Sequence, residues 1–302
     1  MPRWFPSCPI WIAVDVNIQH QDYLSAREIT LIREVPHFKD SSEARHDICL
    51  HYRSYAAGFA DLLQTYEVSD QPHVIADVGT GYGWLSIAIA RRYRCHVIAV
   101  DNNESRLQAA RRIADILGVE RAIDWRVGGL PRLPLMDHEA DVTFCVEVIE
   151  HVGDAPEVVH DLGRVSKDIL IISSPNRNFP VIRHDTGLPF CHWLPPSSRN
   201  RYAAFFNRLH LQDSNIFWSP AMVSAALPDF ERSSRFLQFL SYRHFLRSEK
   251  EIRSVPGRAP PLDRTIRKFL LGAAAPLGSN AINVLPNLAS TFRRRPVRRT
   301  HQ

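Results

Sequence analysis

The residues best suited to bind a ligand lie in one short turn, where an acid precedes glycines at alternate positions. A run of apolar residues leads to Asp77, and Gly79, Gly81 and Gly83 follow before a second apolar run that starts at Trp84. Glycines in such a turn let a ligand approach bare backbone N–H groups at the start of a helix. The pattern predicts a strand, a tight turn and a helix, which is how α/β folds hold nucleotide-like cofactors.

The spacing of the glycines distinguishes between classes of cofactor. A dinucleotide site has the pattern G-x-G-x-x-G, whereas this turn has G-x-G-x-G and places Trp84 where the last glycine would stand. Asp77 at the strand end would repel a pyrophosphate but would suit a cationic ammonium group. A second apolar strand ends at Asp101, about 20 residues past the first glycine, where an acid can bind ribose hydroxyls. S-adenosylmethionine, which carries an ammonium, a sulfonium and no phosphate, fits both acids.

Four motifs in residues 73–174 resemble those of the class I S-adenosylmethionine-dependent methyltransferases, of the type 11 or ubiquinone-biosynthesis kind. D-V-G-T-G-Y-G and V-I-A-V-D are similar to the first two motifs, G-G-L-P-R-L-P-L at 128–135 to the adenine-side loop, and E-V-I-E-H-V at 147–152 to the segment after strand four. Because the family usually has an acid for the adenine amino group where this chain has Gly129, adenine would rely on backbone contacts near Leu130. The resemblance implies ten cofactor-binding residues: Asp77, Gly79, Thr80, Gly81, Gly83, Asp101, Asn102, Gly129, Leu130 and Glu147.

Methyl transfer from a sulfonium asks mainly for alignment of the acceptor and exclusion of water, since the leaving group is already activated. A base is needed only where the attacking atom carries a proton, and Glu150 and His151 are the catalytic candidates for that role. With Glu147 they form an E-x-x-E-H pattern that the resemblance links to divalent metal sites. We favour a base or a positioning role over the metal site, and a purely structural role is the third alternative.

Apolar runs alternate with helical periodicity through the middle of the chain, which predicts a parallel sheet with helices on both faces. Strands are expected near 72–78, 95–101, 122–127, 141–147 and 168–174, and helices near 82–93, 104–118 and 153–166. The resemblance extends this to a Rossmann-like, doubly wound α/β sheet of seven strands, mostly parallel with one antiparallel strand. The last two strands are expected at 230–239 and 241–245.

The chain divides into three predicted parts. Residues 1–70 form an N-terminal extension, in which a helix over 41–66 could cap the cofactor or pack on the sheet edge. Residues 71–250 form the methyltransferase domain, and 251–302 form a Pro- and Arg-rich tail. An insertion at about 175–215 follows strand five, where ligands bind in this fold, so its Phe179, His184, His192 and Trp193 are expected to line the acceptor pocket rather than merely cover the sheet.

The composition indicates the cellular compartment in which the protein is expected to work. Five cysteines without a C-x-x-C pair favour a reducing compartment over a disulfide or zinc framework, and the short apolar run near the N-terminus is too brief for a signal peptide, so a cytoplasmic location is expected. An apolar stretch followed by five arginines at 293–299 suggests peripheral contact with an anionic membrane, although a tail packed on the surface is an equal alternative.

These observations favour transfer of a methyl group to a small-molecule or lipid-linked acceptor. Oxygen is the expected target, on the resemblance around Glu147 alone. Nucleic-acid methylation is disfavoured, because a basic tail without a recognition module is weak evidence of nucleic-acid binding. A non-catalytic protein that binds S-adenosylmethionine is a further alternative, and the glycine spacing disfavours a dehydrogenase.

Overall fold

The computed structural model describes residues 23–66, 74–93, 95–182, 185–208, 216–253 and 269–296. A seven-stranded sheet in the order β3-β2-β1-β4-β5-β7-β6 forms its centre. The strands are β1 (Val74–Val78), β2 (His96–Asp101), β3 (Ile123–Val127), β4 (Ala140–Val146), β5 (Ser166–Ser173), β6 (Phe230–Arg232) and β7 (Ser290–Arg294). All neighbouring strands from β3 to β5 pair in parallel, and β7 runs antiparallel to both β5 and β6. The predicted fold class is therefore confirmed.

Helices connect the parallel strands and cover both faces of the sheet. The helices include α1 (Ala26–Arg33), α2 (Ile48–Tyr55), α3 (Leu62–Thr65), α4 (Trp84–Tyr93), α5 (Glu104–Ile116), α6 (Pro156–Val165), α7 (Pro196–Phe205), α8 (Pro220–Ala225) and α9 (Tyr242–Arg253). Local sequence sets several of their ends. The Asn103 side chain caps α5 by accepting from the N–H of Arg106, and Pro156 occupies the first position of α6, where a missing N–H costs nothing. None of these helices is long and apolar enough to span a bilayer.

The core lies on both faces of the sheet because its central strands are apolar at consecutive positions. Ile75 and Val97 pack with α4, α5 and the N-terminal helices, whereas Ala76 and Ile98 pack on the opposite face with α6 and α8. Alternating side chains of one strand thus enter two cores, as expected for a parallel sheet covered on both sides. This sheet brings the acids at the ends of β1 and β2 to one edge.

The helix expected over 41–66 is present as a broken helical segment. A 3₁₀ turn at Glu43–Arg45 precedes α2, and a π-helical turn at Ala56–Ala60 separates α2 from α3. The segment packs against α4, the helix that follows the glycine turn. It therefore lies close to the turn rather than at a distant sheet edge.

The prediction for the last strand was wrong. Residues 241–245 belong to the start of α9, and the antiparallel strand is β7, whose Thr291 lies opposite Ile171 of β5. Within 230–239, only Phe230–Arg232 forms a strand. The strand escaped the sequence analysis because its two arginines look like the start of a basic tail.

The described part of the predicted tail packs against the domain. Ala281 and Ile282 are buried in the core. Arg293 lies 3.6 Å from Asp168, and Arg294 donates to the carbonyls of Gly163 and Ser166 and lies over the ring of Phe230. Two of the five clustered arginines are therefore held against the domain. The three-part division of the chain stays a prediction.

Candidate active site

The glycine turn is held in a conformation that favours glycine. Gly79, Gly81 and Gly83 have positive φ angles of 74°, 59° and 78°. The N–H groups of Gly79 and Thr80 both donate to the carbonyl of Val100, which ties the turn to β2 at 2.8 and 2.9 Å. A Cβ on Gly81 would have no neighbour nearer than 3.9 Å, so the backbone there is open to an approaching ligand.

Asp77 stabilises the conformation of the glycine turn through hydrogen bonds. Its Oδ2 accepts from the Thr80 hydroxyl (2.7 Å), the Ser86 hydroxyl (2.7 Å) and the Ser86 N–H (3.1 Å). Burial raises the pKa of Asp77, these donors oppose the rise, and Asp101 adds to it. Since internal donors saturate Oδ2, only Oδ1 is left for the expected ammonium contact, which stays a prediction. The Thr80 hydroxyl likewise makes its hydrogen bond within the protein, to Asp77.

Asp101 joins the end of β2 to the same turn. Its Oδ2 accepts from the N–H of Gly81 at 2.9 Å, and its Oδ1 accepts from the N–H of Asn103 at 2.9 Å. Beside it, a Cβ built on Gly129 would meet the Cβ of Asn102 at 3.4 Å. The structure therefore brings the expected ribose residue, the glycine turn and the expected adenine-side loop of Gly129 and Leu130 to one edge.

The segment after β4 supplies one partly buried carboxyl group, Glu147, and one buried carboxyl group, Glu150. Glu147 adopts a left-handed conformation, φ 56°, uncommon for a residue with a side chain. Its N–H donates to the Ser173 carbonyl, and its Oε1 accepts from the Ser173 hydroxyl at 3.0 Å. Glu150 is 2% exposed and accepts from the Ser174 hydroxyl at 2.9 Å. Burial first, and then the charge of Glu147, raises the pKa of Glu150 to about 8.

His151 differs from these two glutamates in exposure. It closes the 3₁₀ turn Ile149–His151 with an exposed side chain, whereas Glu150 of the same turn points into the protein. Within the described ranges, no group of three histidine, cysteine, aspartate or glutamate side chains could hold a metal ion. The E-x-x-E-H pattern therefore does not gather its three side chains at one point.

Tyr55 at the end of α2 was not singled out by the sequence analysis. Burial raises the pKa of its phenol, and the charges of Glu43, Asp77, Glu147 and Glu150 raise it further. The phenol thus lies within electrostatic range of the carboxyl groups that follow β1 and β4. Helical periodicity marked this residue only as apolar, and no local signal in the sequence shows that it approaches the site.

Two further contacts connect the N-terminal extension to the glycine turn. The Tyr82 hydroxyl lies 3.0 Å from Nδ1 of His37, and the Trp84 indole N–H donates to Glu43 at 3.1 Å. His37 and Glu43 both lie before α2, so they belong to the N-terminal extension. These contacts join the N-terminal extension to the glycine turn, and its role as a cap over the cofactor stays a prediction.

The four predicted acceptor residues are only partly brought together. His192 and Trp193 both donate from their rings to the Arg177 carbonyl, at 3.0 and 2.6 Å. His192 is buried, which lowers its pKa, whereas Trp193 is half exposed and Phe179 is partly buried in the preceding turn. His184 lies outside the described residues. Whether these side chains face the cofactor stays a prediction.

A surface depression lies at the other end of the sheet. It has a volume of about 650 Å³ and is lined by the ends of α4 and α5 and by the turn before β3, including Arg91, Asp115 and Glu120. Because ligands of open α/β sheets bind at the carboxyl ends of the strands, this depression is not the predicted acceptor pocket.

The residues at the carboxyl edge fit S-adenosylmethionine. Asp101 lies at the end of β2, where the ribose is expected, and the backbone at Gly81 is open to a ligand. Asn102 and Gly129 approach each other where adenine is expected. Asp77 and Glu147 add negative potential, which favours a ligand with an ammonium and a sulfonium. No phosphate would be favoured beside so many carboxyl groups.

Comparisons with known proteins agree with this geometry. Residues 75–168 match a family described as a methyltransferase domain. The chain is 34% identical over 143 residues to a glycine/sarcosine/dimethylglycine N-methyltransferase from Actinopolyspora halophila, covering 46% of this chain and 25% of that protein. It is 37% identical over 107 residues to a ubiquinone biosynthesis O-methyltransferase from Hahella chejuensis, covering 34% and 44%. The chain spans less than half the length of these two relatives.

Among solved structures, geranyl diphosphate C-methyltransferase from Streptomyces coelicolor A3(2), in complex with Mg²⁺, geranyl diphosphate and S-adenosyl-L-homocysteine, aligns with 85% of each chain at a TM-score of 0.47 and 15% identity. Residues 75–168 of this chain match a methyltransferase domain, and the sheet order and the glycine turn support a class I S-adenosylmethionine-dependent methyltransferase.

Proposed function

We propose that this protein transfers a methyl group from S-adenosylmethionine to a small molecule. The observation that carries the proposal is the position of Asp101, whose carboxylate joins the end of β2 to Gly81 beside the approach of Asn102 to Gly129. When bound there, the cofactor supplies an activated methyl group. The chain is proposed to supply the alignment, since Tyr55 at the end of α2 lies within electrostatic range of the carboxyl groups at this edge.

The acceptor is proposed to be small and to react at oxygen. The named relatives act on small molecules and include both an N- and an O-methyltransferase. Oxygen is supported by the resemblance of 147–152 to the ubiquinone-biosynthesis kind alone. Parallel assays with phenolic and amine acceptors, with the product atom identified by mass spectrometry, decide between oxygen and nitrogen.

A hydroxyl acceptor must lose a proton during the transfer, and we assign its acceptance to Glu150. A base works best when its pKa lies near the working pH, and the pKa of about 8 at Glu150 meets that condition. The nearby charge of Glu147 strengthens the affinity of Glu150 for the proton. His151, exposed at the end of the same turn, is the second candidate.

Loss of the Asp101 carboxylate should weaken S-adenosylmethionine binding by about ten- to a hundredfold, because a charge-assisted hydrogen bond contributes about 1.5–3 kcal/mol. Asp101→Asn retains the side-chain shape. Asp115→Asn, on the exposed far end of α5, removes the same charge away from the edge and is the control. Isothermal titration with S-adenosylmethionine measures both, and equal affinities for the two variants would refute the assigned site.

His151→Ala should reveal which residue takes the proton. If Glu150 is the base, the variant should keep turnover within about threefold of the parent, since removing a true base costs about 10²-fold or more. Its affinity for S-adenosylmethionine should stay unchanged. A loss of turnover near 10²-fold would transfer the assignment from Glu150 to His151.

The proposal does not include membrane contact through the C-terminal tail. The apolar stretch that suggested such contact contributes Ala281, Ile282 and Leu285 to the core, and Arg293 and Arg294 are engaged with the domain. A lipid-linked acceptor therefore loses its original support. The same contacts weaken the case for a nucleic-acid acceptor.

A further inference from the structure

Helix α7 in the insertion has almost no buried face. Of its ten residues, only Ala203 is buried. The helix ends at Phe205, which is 83% exposed, and the next residue, Phe206, is 50% exposed. Their rings pack edge to face with centroids 5.0 Å apart. Helices of globular proteins normally bury an apolar stripe, so an exposed helix that ends in two phenylalanines indicates a surface for interaction.

A second aromatic pair lies just before the same helix. Phe190 and Trp193 are each about half exposed, and their ring centroids lie 5.1 Å apart. Ten helical residues measure about 15 Å, so the two pairs occupy the two ends of a short element. Phe190, Trp193, Phe205 and Phe206 together are called the insertion surface below.

The charge of this segment has one sign. Residues 186–208 contain Arg199, Arg201 and Arg208 but no aspartate or glutamate. Arg199 donates to the His192 carbonyl at 3.1 Å, whereas Arg201 and Arg208 are exposed. The exposed aromatic rings of the insertion surface therefore lie in a segment that has cationic side chains and no acid.

We propose that the insertion surface docks on an anionic lipid bilayer. Aromatic rings favour the headgroup level of a membrane, and exposed arginines are attracted by the phosphates and serine carboxylates of its surface. A second copy of the chain is a poorer partner, because it would bring Arg201 and Arg208 towards the same charges. Docking here differs from contact through the C-terminal tail, and its test changes only residues that are not expected to line the acceptor pocket.

The test is flotation of the full-length protein with vesicles of phosphatidylserine and phosphatidylcholine, and with vesicles of phosphatidylcholine alone. Binding should require phosphatidylserine and should weaken with salt. The double variant R201Q/R208Q should bind about thirtyfold more weakly, and F205A/F206A should lose about tenfold. The control L277A/V284A removes two other exposed apolar side chains from the C-terminal part and should bind as the parent does.

Several results would overturn the proposal. These are binding that ignores phosphatidylserine, no binding to either vesicle, and loss in the control double variant instead of in F205A/F206A. Size-exclusion chromatography with light scattering adds a second readout. If the parent were a dimer, and F205A/F206A were a monomer that binds vesicles as the parent does, the insertion surface would be a contact between two copies. Circular dichroism of each variant checks that its fold is retained.

Discussion

Replacement of Gly79 by alanine should destabilise the domain by about 2–5 kcal/mol and remove measurable binding of S-adenosylmethionine. Two effects add at this position. The φ angle of 74° lies in the left-handed region, which costs a residue with a Cβ about 1–2 kcal/mol. The new Cβ would also lie 2.9 Å from Cγ1 of Val148 and closer still to its Cγ2, so either the turn or the segment after β4 would have to move.

Gly118→Ala is the matched control, because Gly118 has the same φ angle of 74° and has no atom within 4 Å of the place of a Cβ. It should cost about 1–2 kcal/mol, the backbone effect alone. Urea unfolding gives both stabilities, and isothermal titration gives the affinity for S-adenosylmethionine. Equal destabilisation by the two variants would show that the contact with Val148 has no energetic consequence.

The contribution of Val148 can be isolated by a double variant. Val148→Ala removes the two crowding methyl groups but keeps a Cβ at 3.2 Å from the added one, which is close but tolerable. Gly79→Ala combined with Val148→Ala should therefore recover the packing part of the loss and leave the backbone part. If the free energies of unfolding in this double-mutant cycle were additive, the close contact between the two positions would be contradicted.

The elements that hold the glycine turn could be predicted from local sequence. The expected strands near 72–78 and 95–101 differ from β1 and β2 by no more than two residues at either end. Both are continuous apolar runs that end at acids, Asp77 and Asp101, and each leads into a helix. The hydrophobic pattern, the acid at the strand end and the glycines of the turn all indicate the same strand, turn and helix. Such agreement between local signals makes a prediction from sequence dependable.

Elements and properties that depend on distant parts of the chain were not predictable in this way. Strand β7 contains Thr291 and Phe292 between a serine and two arginines, and only pairing with β5 and β6 makes it a strand. Tyr55 reaches the site because α2 packs on α4, a contact that no periodicity encodes. The raised pKa of Glu150 is likewise a consequence of burial, which the E-x-x-E-H pattern does not specify.

Glu150→Gln should stabilise the protein at neutral and mildly alkaline pH and abolish most of its methyl transfer. The carboxyl group has an ordinary pKa of 4.5, which burial and Glu147 raise to about 8 in the folded protein. Between these values, the folded protein holds a proton that the unfolded chain has released. Stability of the parent must therefore fall as the pH rises from 4.5 to about 8 and level off above it, by about 3–5 kcal/mol.

Glutamine is uncharged at every pH, so this part of the pH dependence should vanish in Glu150→Gln, while its amide oxygen can still accept from the Ser174 hydroxyl. Glu157→Gln, the same change at an exposed position of α6, should leave the slope intact. Urea unfolding of the three proteins from pH 5 to pH 9 measures it.

Turnover adds a readout that a merely structural Glu150 would not change. With Glu150 as the proton acceptor, kcat of the parent should rise as the pH approaches 8, because only the ionised carboxylate can take the proton. Glu150→Gln should be slower by about 10²-fold and should lose this rise, while its affinity for S-adenosylmethionine stays close to that of the parent. A variant that is more stable above neutral pH yet fully active, with the parent's pH profile, would leave Glu150 buried and protonated but without a part in proton transfer.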